Sequence, residues 1–600
     1  MSIFCVSERC GICGFEIQNG DSMVAVTKDG VLWEEMPSVD GWMVDRSGKR
    51  TLQCSDVGCP YTRHATGCHA SCASPLVSAS LSSRKALLEV LACGCRPWPT
   101  DSARRMRWLR KRFSVSLEKA KPSLPLEIWL EIAEHLRGDD MHRCVMAPSI
   151  HTLLKDAQTV SSQVSISAEI WARFVSFEGV RYISSLSNSR DEYHSQSIYA
   201  PDTSHDLDVL YISQTPLGVT QLLFANSSQA SDFGNGQGQW WKVVELLNRS
   251  PILSTKTDGI KLRTIAPEDN GPRVSRISRL WSSPPKGTFR SVRLEPGLPS
   301  TQLILFRCNM PEATGYSVCW RHGIRHLHAH LPHEDFIFYE GHKDGIWMHL
   351  PVKHGEKITE IWSLHHSEGR PLVVSSSSQM NAGTPLILQQ LKTSDGRVCF
   401  FGTQPFSPEA PRSRLLDLPP QNESHIFFDN RNRVESFFFE TPEPTPGSRS
   451  GPALPNSISP RPPHSVYKEQ LFFSSANLDG VVKILPCRRL VRDRSHVVGL
   501  LLEYFDGRRT CVGQFRLDSL DKPLLIRGDR HIWVGFSEDG EGQFVSAVEL
   551  SKPDTEQGSV SWLEIELSRQ LEWWFTVQQC HIWHEGKSSP AFKVKEATRT

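Results

Sequence analysis

Six hundred residues carry 67 Lys and Arg against 66 Asp and Glu, a net charge of +1, and 39% of them are hydrophobic. This composition fits a globular chain of several folding units and excludes collagen-like or wholly disordered classes. The charge balance argues against nucleic acid or an anionic membrane as a partner. No apolar run approaches the roughly 18 residues that a spanning helix needs; the longest, such as 497–502, are strand-sized. The opening Met1-Ser2-Ile3-Phe4 lacks the basic start and apolar core of a secretory leader, so the expected location is cytoplasm or nucleus.

Residues 1–98 form a Cys/His-rich head, holding nine of the 16 cysteines. Without a leader, such a cluster points to metal rather than disulfides. Cys10-Gly11-Ile12-Cys13-Gly14 is a C-x-x-C knuckle, and Cys68-His69-Ala70-Ser71-Cys72 supplies a second close pair. Two such pairs, distant in sequence, satisfy a closed tetrahedral zinc site, and the glycines let the backbone wrap around an ion. Apolar residues at helical spacing over 71–91 follow the second pair, a treble-clef-like order. The expected ligands of a structural zinc are Cys10, Cys13, His69 and Cys72; Cys5, Cys54, Cys59, His64 and Cys68 remain as alternatives. The interval from Cys13 to Cys54 is too long for a RING order, so ligase activity is not expected of the head.

A basic connector occupies 99–121, where Arg104, Arg105, Arg107, Arg110, Lys111 and Arg112 alternate with Met106, Trp108, Leu109 and Phe113. Its apolar and basic residues do not separate cleanly, and it reads as a solvated helix. Residues 122–172 read as a helical unit. Leu124-Pro125 opens a helix in which Ile128, Ile132 and Leu136 repeat at i, i+4, i+8, with Glu127, Glu131 and Glu134 opposite. A second helical stretch is expected over 141–157, and Ile170-Trp171 closes the unit.

The run Leu124-Pro125-x-Glu127-Ile128, then Ile132 and His135-Leu136, with a Trp about fifty residues from the start, resembles an F-box. The resemblance implies docking on a Skp1-type adaptor of a cullin-RING ubiquitin ligase. It assigns Leu124, Pro125, Ile128 and Leu136 to the adaptor face, with Ile132 and Trp171 packing inside the unit. The order of Cys/His head, box and long β-rich tail is also similar to fungal F-box-like proteins, and the segment 170–188 resembles the region C-terminal to the box in that group.

Residues 173–440 and 465–600 read as a large antiparallel all-β, sandwich-like body, giving a multidomain α+β chain overall. Strands are expected at 302–306, 335–339, 358–364, 425–428 and 497–504, each short and bounded by turn residues. The polar stretch 226–238 reads as a flexible loop. Residues 441–464, rich in proline and serine, read as a disordered linker.

His326, His328 and His330 would share one face of a strand, a metal-binding option, though the run itself contains no carboxylate. No phosphate-binding loop, dinucleotide fingerprint, nucleophile elbow or H-E-x-x-H helix occurs. The expected function is therefore a non-enzymatic substrate receptor that brings a target protein to the ligase. The alternatives are a β-sandwich module that binds carbohydrate, with the helical unit as scaffold, and a metalloenzyme built on the histidine strand.

Overall fold

In the computed structural model, residues 4–38, 42–44, 50–54, 64–91, 95, 97–121, 123–136, 140, 161–190, 195–201, 207–226, 238–246, 252–268, 279–294, 301–321, 323–365, 388–403, 412–429, 433–445, 451–453, 457–459, 471–491, 494–539, 542–553, 560–577 and 579–589 are described. The chain divides into two units, residues 1–287 with 298–304, and residues 288–297 with 305–600.

The first unit begins with six strands, Phe4–Ser7 (β1), Ser22–Thr27 (β2), Met36–Pro37 (β3), Trp42–Val44 (β4), Arg50–Cys54 (β5) and His64–His69 (β6). Their order is β3-β2-β6-β1-β5-β4. β1 runs parallel to β5 and β6, and β2 pairs antiparallel with β6, Met23 opposite His69. β6 passes directly into the helix Ala70–Val77 (α1), which Leu81–Leu91 (α2) follows. Met23, Ala25, Val26, Leu76, Leu87 and Leu91 bury their side chains between sheet and helices. The helix expected over 71–91 therefore exists, broken at 78–80.

Residues Pro99–Ala120 form one helix (α3), with Pro in its first turn where a missing N–H costs nothing. It is not the solvated connector expected from its composition. Leu109 and Arg105 are buried, and Met106, Trp108 and Phe113 rest on the core of the head. Positions 105, 109 and 113 lie at helical spacing on one side, so arginine occupies a core position there. Leu126–Glu134 (α4) lies against α3, where Ser114 Oγ donates to the Trp129 carbonyl at 2.9 Å.

The helical reading does not extend to 172. Ser161–Ser165 is a strand paired with Ile252–Thr257, and Ile170–Phe177 is another, in which Ile170 and Ala172 are buried on alternate positions. Trp171 is a strand residue paired with Ser187 and Ser197. The helix expected over 141–157 lies outside the described residues. Ile170–Phe177 and Val180–Ser187 form a hairpin whose two turn residues, Glu178 and Gly179, both have positive φ, 47° and 76°, the geometry that matches strand twist. Ile170, Leu210, Leu253 and Leu262 belong to a second core in this unit.

The second unit is strand-rich. Gly315–Trp320 lies between Ile324–His330 and Ile346–Pro351, and Val481–Val491 forms a long hairpin with Arg494–Tyr504. The strands expected at 302–306, 358–364, 425–428 and 497–504 are all present. Residues 335–339 are not a strand; Ile337–His342 is a 3-10 helix. A strand would send Phe338 and Tyr339 to opposite faces. Here Phe336, Phe338 and Tyr339 all pack on Cys319 and Trp347, while Ile337 is exposed.

Part of the expected linker is tied down. The Glu572 carboxylate accepts the Ile458 and Ser459 N–H groups at 2.7 and 3.0 Å, and Trp574 Nε1 donates to Ser459 Oγ at 2.8 Å. Residues 446–450, 454–456 and 460–464 of that stretch, and 227–237 of the expected loop, lie outside the described residues. No helix among the described residues is long and apolar enough to cross a membrane.

Candidate metal centre and an exposed helix

The knuckle turns because Gly14 takes φ 72° and its N–H closes on the Cys10 carbonyl at 2.8 Å. Gly11 sits so close to β6 that a Cβ would lie 2.2 Å from Thr66 Cγ2. Its N–H donates to the Gly67 carbonyl at 2.8 Å, fastening the knuckle beside the second pair. Cys72 lies in the first turn of α1, where the helix N-terminus favours a thiolate.

Cys10, Cys13, His69 and Cys72 are all buried, and their donor atoms lie within 4.8 Å of one another. His69 Nδ1 is 3.4 Å from Cys13 Sγ and 4.0 Å from Cys72 Sγ. A tetrahedral zinc with bonds of roughly 2.3 Å to sulfur and 2.0 Å to nitrogen has S···N edges of about 3.5 Å, so the donor set has the size and chemistry to hold a metal ion. His69 Nε2 faces the Glu16 carbonyl at 3.3 Å and Asp21 Oδ2 at 3.5 Å. That carboxylate behind the imidazole fixes the ring so that Nδ1 points inward, the usual outer support of a metal-bound histidine.

Burial opposes ionisation of Cys10, but hydrogen bonds from Cys13, Cys68, Cys72 and His69 outweigh it and hold the thiol well below its ordinary value. Cys13 is pushed well above that value by burial and by Cys10, and Cys68 by Cys10 and burial. The pocket thus favours one thiolate and resists a second. A bound cation reverses that penalty, because a coordinating thiol is deprotonated.

Among the alternatives, Cys68 is buried beside Cys10 but outside the four-donor set, and Cys5 is buried on β1. The side chains of Cys54 and His64, and Cys59 altogether, lie outside the described residues.

The brace of this loop is not evident from the sequence. Arg105 is 2% exposed, ion-paired with the fully buried Glu178, and donates to the Cys13 carbonyl at 2.7 Å. Its guanidinium lies 4.1 Å over the Phe15 ring. Burial lowers its pKa, but Glu178 more than offsets this and raises it. The positive-φ turn that carries Glu178 also gives its main-chain carbonyl to Arg104 at 2.6 Å. An arginine in register with Leu109 and Phe113 was the available signal.

On α4, Pro125 is the N-cap, one position ahead of the first turn. Leu124, Ile128, Leu130 and Ile132 are 37%, 45%, 36% and 38% exposed, whereas Ala133 is fully buried. Ile132 was expected inside the unit and lies on the surface. Leu136, expected on the adaptor face, packs against the core of the head. The structure therefore groups Leu124, Pro125 and Ile128 on the outside and separates Leu136 from them.

In the second unit the histidine strand does have a carboxylate, supplied by Glu334 after the following turn.

No family model and no curated protein matches the chain. Among solved structures, it is similar to a crystal structure of a lamprey immune protein over 49% of this chain and 82% of that one, at 9% identity and a TM-score of 0.15. Likeness at that level carries no argument about fold or function.

Proposed function

We propose that the chain is a non-enzymatic interaction protein whose α4 docks on a Skp1-type adaptor, while the β-rich body recruits a target protein to the ligase. The observation behind this reading is α4 itself. Ala133 is buried, whereas Ile128 and Ile132 on one flank of the helix, Leu130 on another, and Leu124 just ahead of it are exposed. Binding surfaces rest on a few such anchors set in a polar surround, and Glu127, Glu131 and Glu134 supply that surround here. A treble-clef-like head with zinc on Cys10, Cys13, His69 and Cys72 has a structural role in this reading, because four protein ligands leave no open coordination position.

Titration calorimetry of the purified full-length chain with recombinant Skp1 tests the proposal. Saturable binding, weakened at least tenfold by Ile128→Asp, is the expected result. Absence of binding by the unaltered chain, or equal binding by the variant, overturns it. Metal analysis of the same preparation is expected to find zinc, of which Cys13→Ser removes one equivalent per chain.

A further inference from the structure

We propose that His328, His330 and Glu334 form a second cation site in the second unit, an open two-histidine, one-carboxylate set for a divalent first-row transition metal. Three features of the local chain build it. Strand Ile324–His330 alternates its side chains, so His328 and His330 emerge on the same face. The chain then reverses through Leu331, Pro332 and His333. His333 takes φ 61°, a left-handed conformation rare for a residue with a Cβ. This reversal returns Glu334 over the face that the strand has just presented. Backbone strain of this kind persists where the surroundings enforce it, and it clusters at functional sites.

The Glu334 carboxylate meets His328 Nε2 at 2.9 Å through one oxygen and His330 Nδ1 through the other. One donor atom from each of the three residues lies within 4.8 Å of the others. Each ring is also held by a further contact. Ser317 Oγ bonds His330 Nε2 at 2.7 Å and His349 Nδ1 at 2.9 Å. This leaves Nδ1 of His330 as the atom that faces the carboxylate. His328 is stacked on Phe338, with ring centroids 3.7 Å apart and planes 16° from parallel. Such outer contacts orient metal-binding histidines and tune their basicity.

Imidazole with carboxylate selects zinc, cobalt, nickel or iron(II) over calcium or magnesium, which take oxygen ligands. The His328 and Glu334 side chains are 24% and 15% exposed, so water or a further ligand has a route to the remaining coordination positions. The site therefore differs in kind from the closed, cysteine-rich head.

The test uses the full-length chain, stripped of metal, reloaded with cobalt(II) and freed of excess. The expected result is two equivalents of cobalt per chain, of which only one gives thiolate-to-metal charge-transfer absorption. Glu334→Gln and His328→Gln should each remove one equivalent and leave the thiolate band unchanged, while Cys13→Ser should remove the other equivalent together with the band. A single equivalent without the thiolate band would support this site and count against the head. A single equivalent with the band would overturn it, as would full retention of both equivalents in the two variants. Should the variants fail to fold, X-ray absorption on the cobalt-loaded unaltered chain still decides. Imidazole scattering no greater than one His69 provides would remove the proposal.

Discussion

Arg105 ties the knuckle at 10–13 to the hairpin that turns at Glu178 and Gly179. Removing one partner from a buried ion pair leaves the other charged and unsolvated, which costs roughly 3–5 kcal/mol. Arg105→Ala is therefore expected to lower the urea stability of the full chain by about that amount, leaving Glu178 alone in the core. Arg105→Lys should recover little of it, because an ammonium is a single point of donors and lacks the planar fork by which Nε and Nη2 reach Glu178 and the Cys13 carbonyl at once. His342 carries a pH prediction. Burial, with Arg325 adding to it, lowers this imidazole to about 4. Between the ordinary value near 6.5 and that lowered value, the unfolded chain takes up a proton that the folded chain refuses. Stability therefore falls as pH drops through this window. His326, whose ring lies 5.1 Å from that of His342, is held low for the same main reason. His342→Asn should flatten the urea profile between pH 6.5 and 4.5 by something of the order of 2 kcal/mol. Of these residues, the four head donors were legible because two close pairs announce a tetrahedral site. Asp21 and Glu178 were not, since only the folded chain brings them to His69 and Arg105.

At the scale of elements, α4 makes a direct claim about which of its sides is free. Ile128→Asp should change urea stability by no more than about 0.5 kcal/mol, as surface substitutions do. Ala133→Asp should cost more than about 4 kcal/mol by burying an unpaired charge. Equal destabilisation by the two would show that the Ile128 side is covered. The helix start and its apolar periodicity were readable from Leu124-Pro125 and the i, i+4, i+8 repeat. Which positions face outward was not, because packing decides it: Ile132 is exposed and Leu136 rests on the head core, the opposite of the places that the F-box resemblance implies. The 3-10 helix Ile337–His342 was hidden for a similar reason. Its run of aromatics has the composition of a strand, and only packing on Trp347 distinguishes the two.

For the molecule as a whole, a strand-rich chain with a small Cys/His head could be read from cysteine placement and turn spacing. The pairing of strands could not. Phe472 lies beside Phe575 and Trp241 beside Trp281, and no local pattern records such partners. The proline-rich stretch misled likewise, since its anchor, Glu572, comes from a distant strand. Cys13→Ser is expected to lower the calorimetric melting temperature of the full chain; an unchanged profile would mean that the four-donor cluster adds nothing to stability. The guanidinium shared between Cys13 and Glu178 has a further consequence. If an ion occupies the four-donor cluster, its binding and the packing of this hairpin are heterotropically linked through Arg105, so whatever factor the ion adds to the packed turn, the packed turn must add to the ion's affinity. A substitution at Gly179, whose place a Cβ would contest with the Trp108 indole 3.0 Å away, should therefore register at a chelator titration without touching a single ligand.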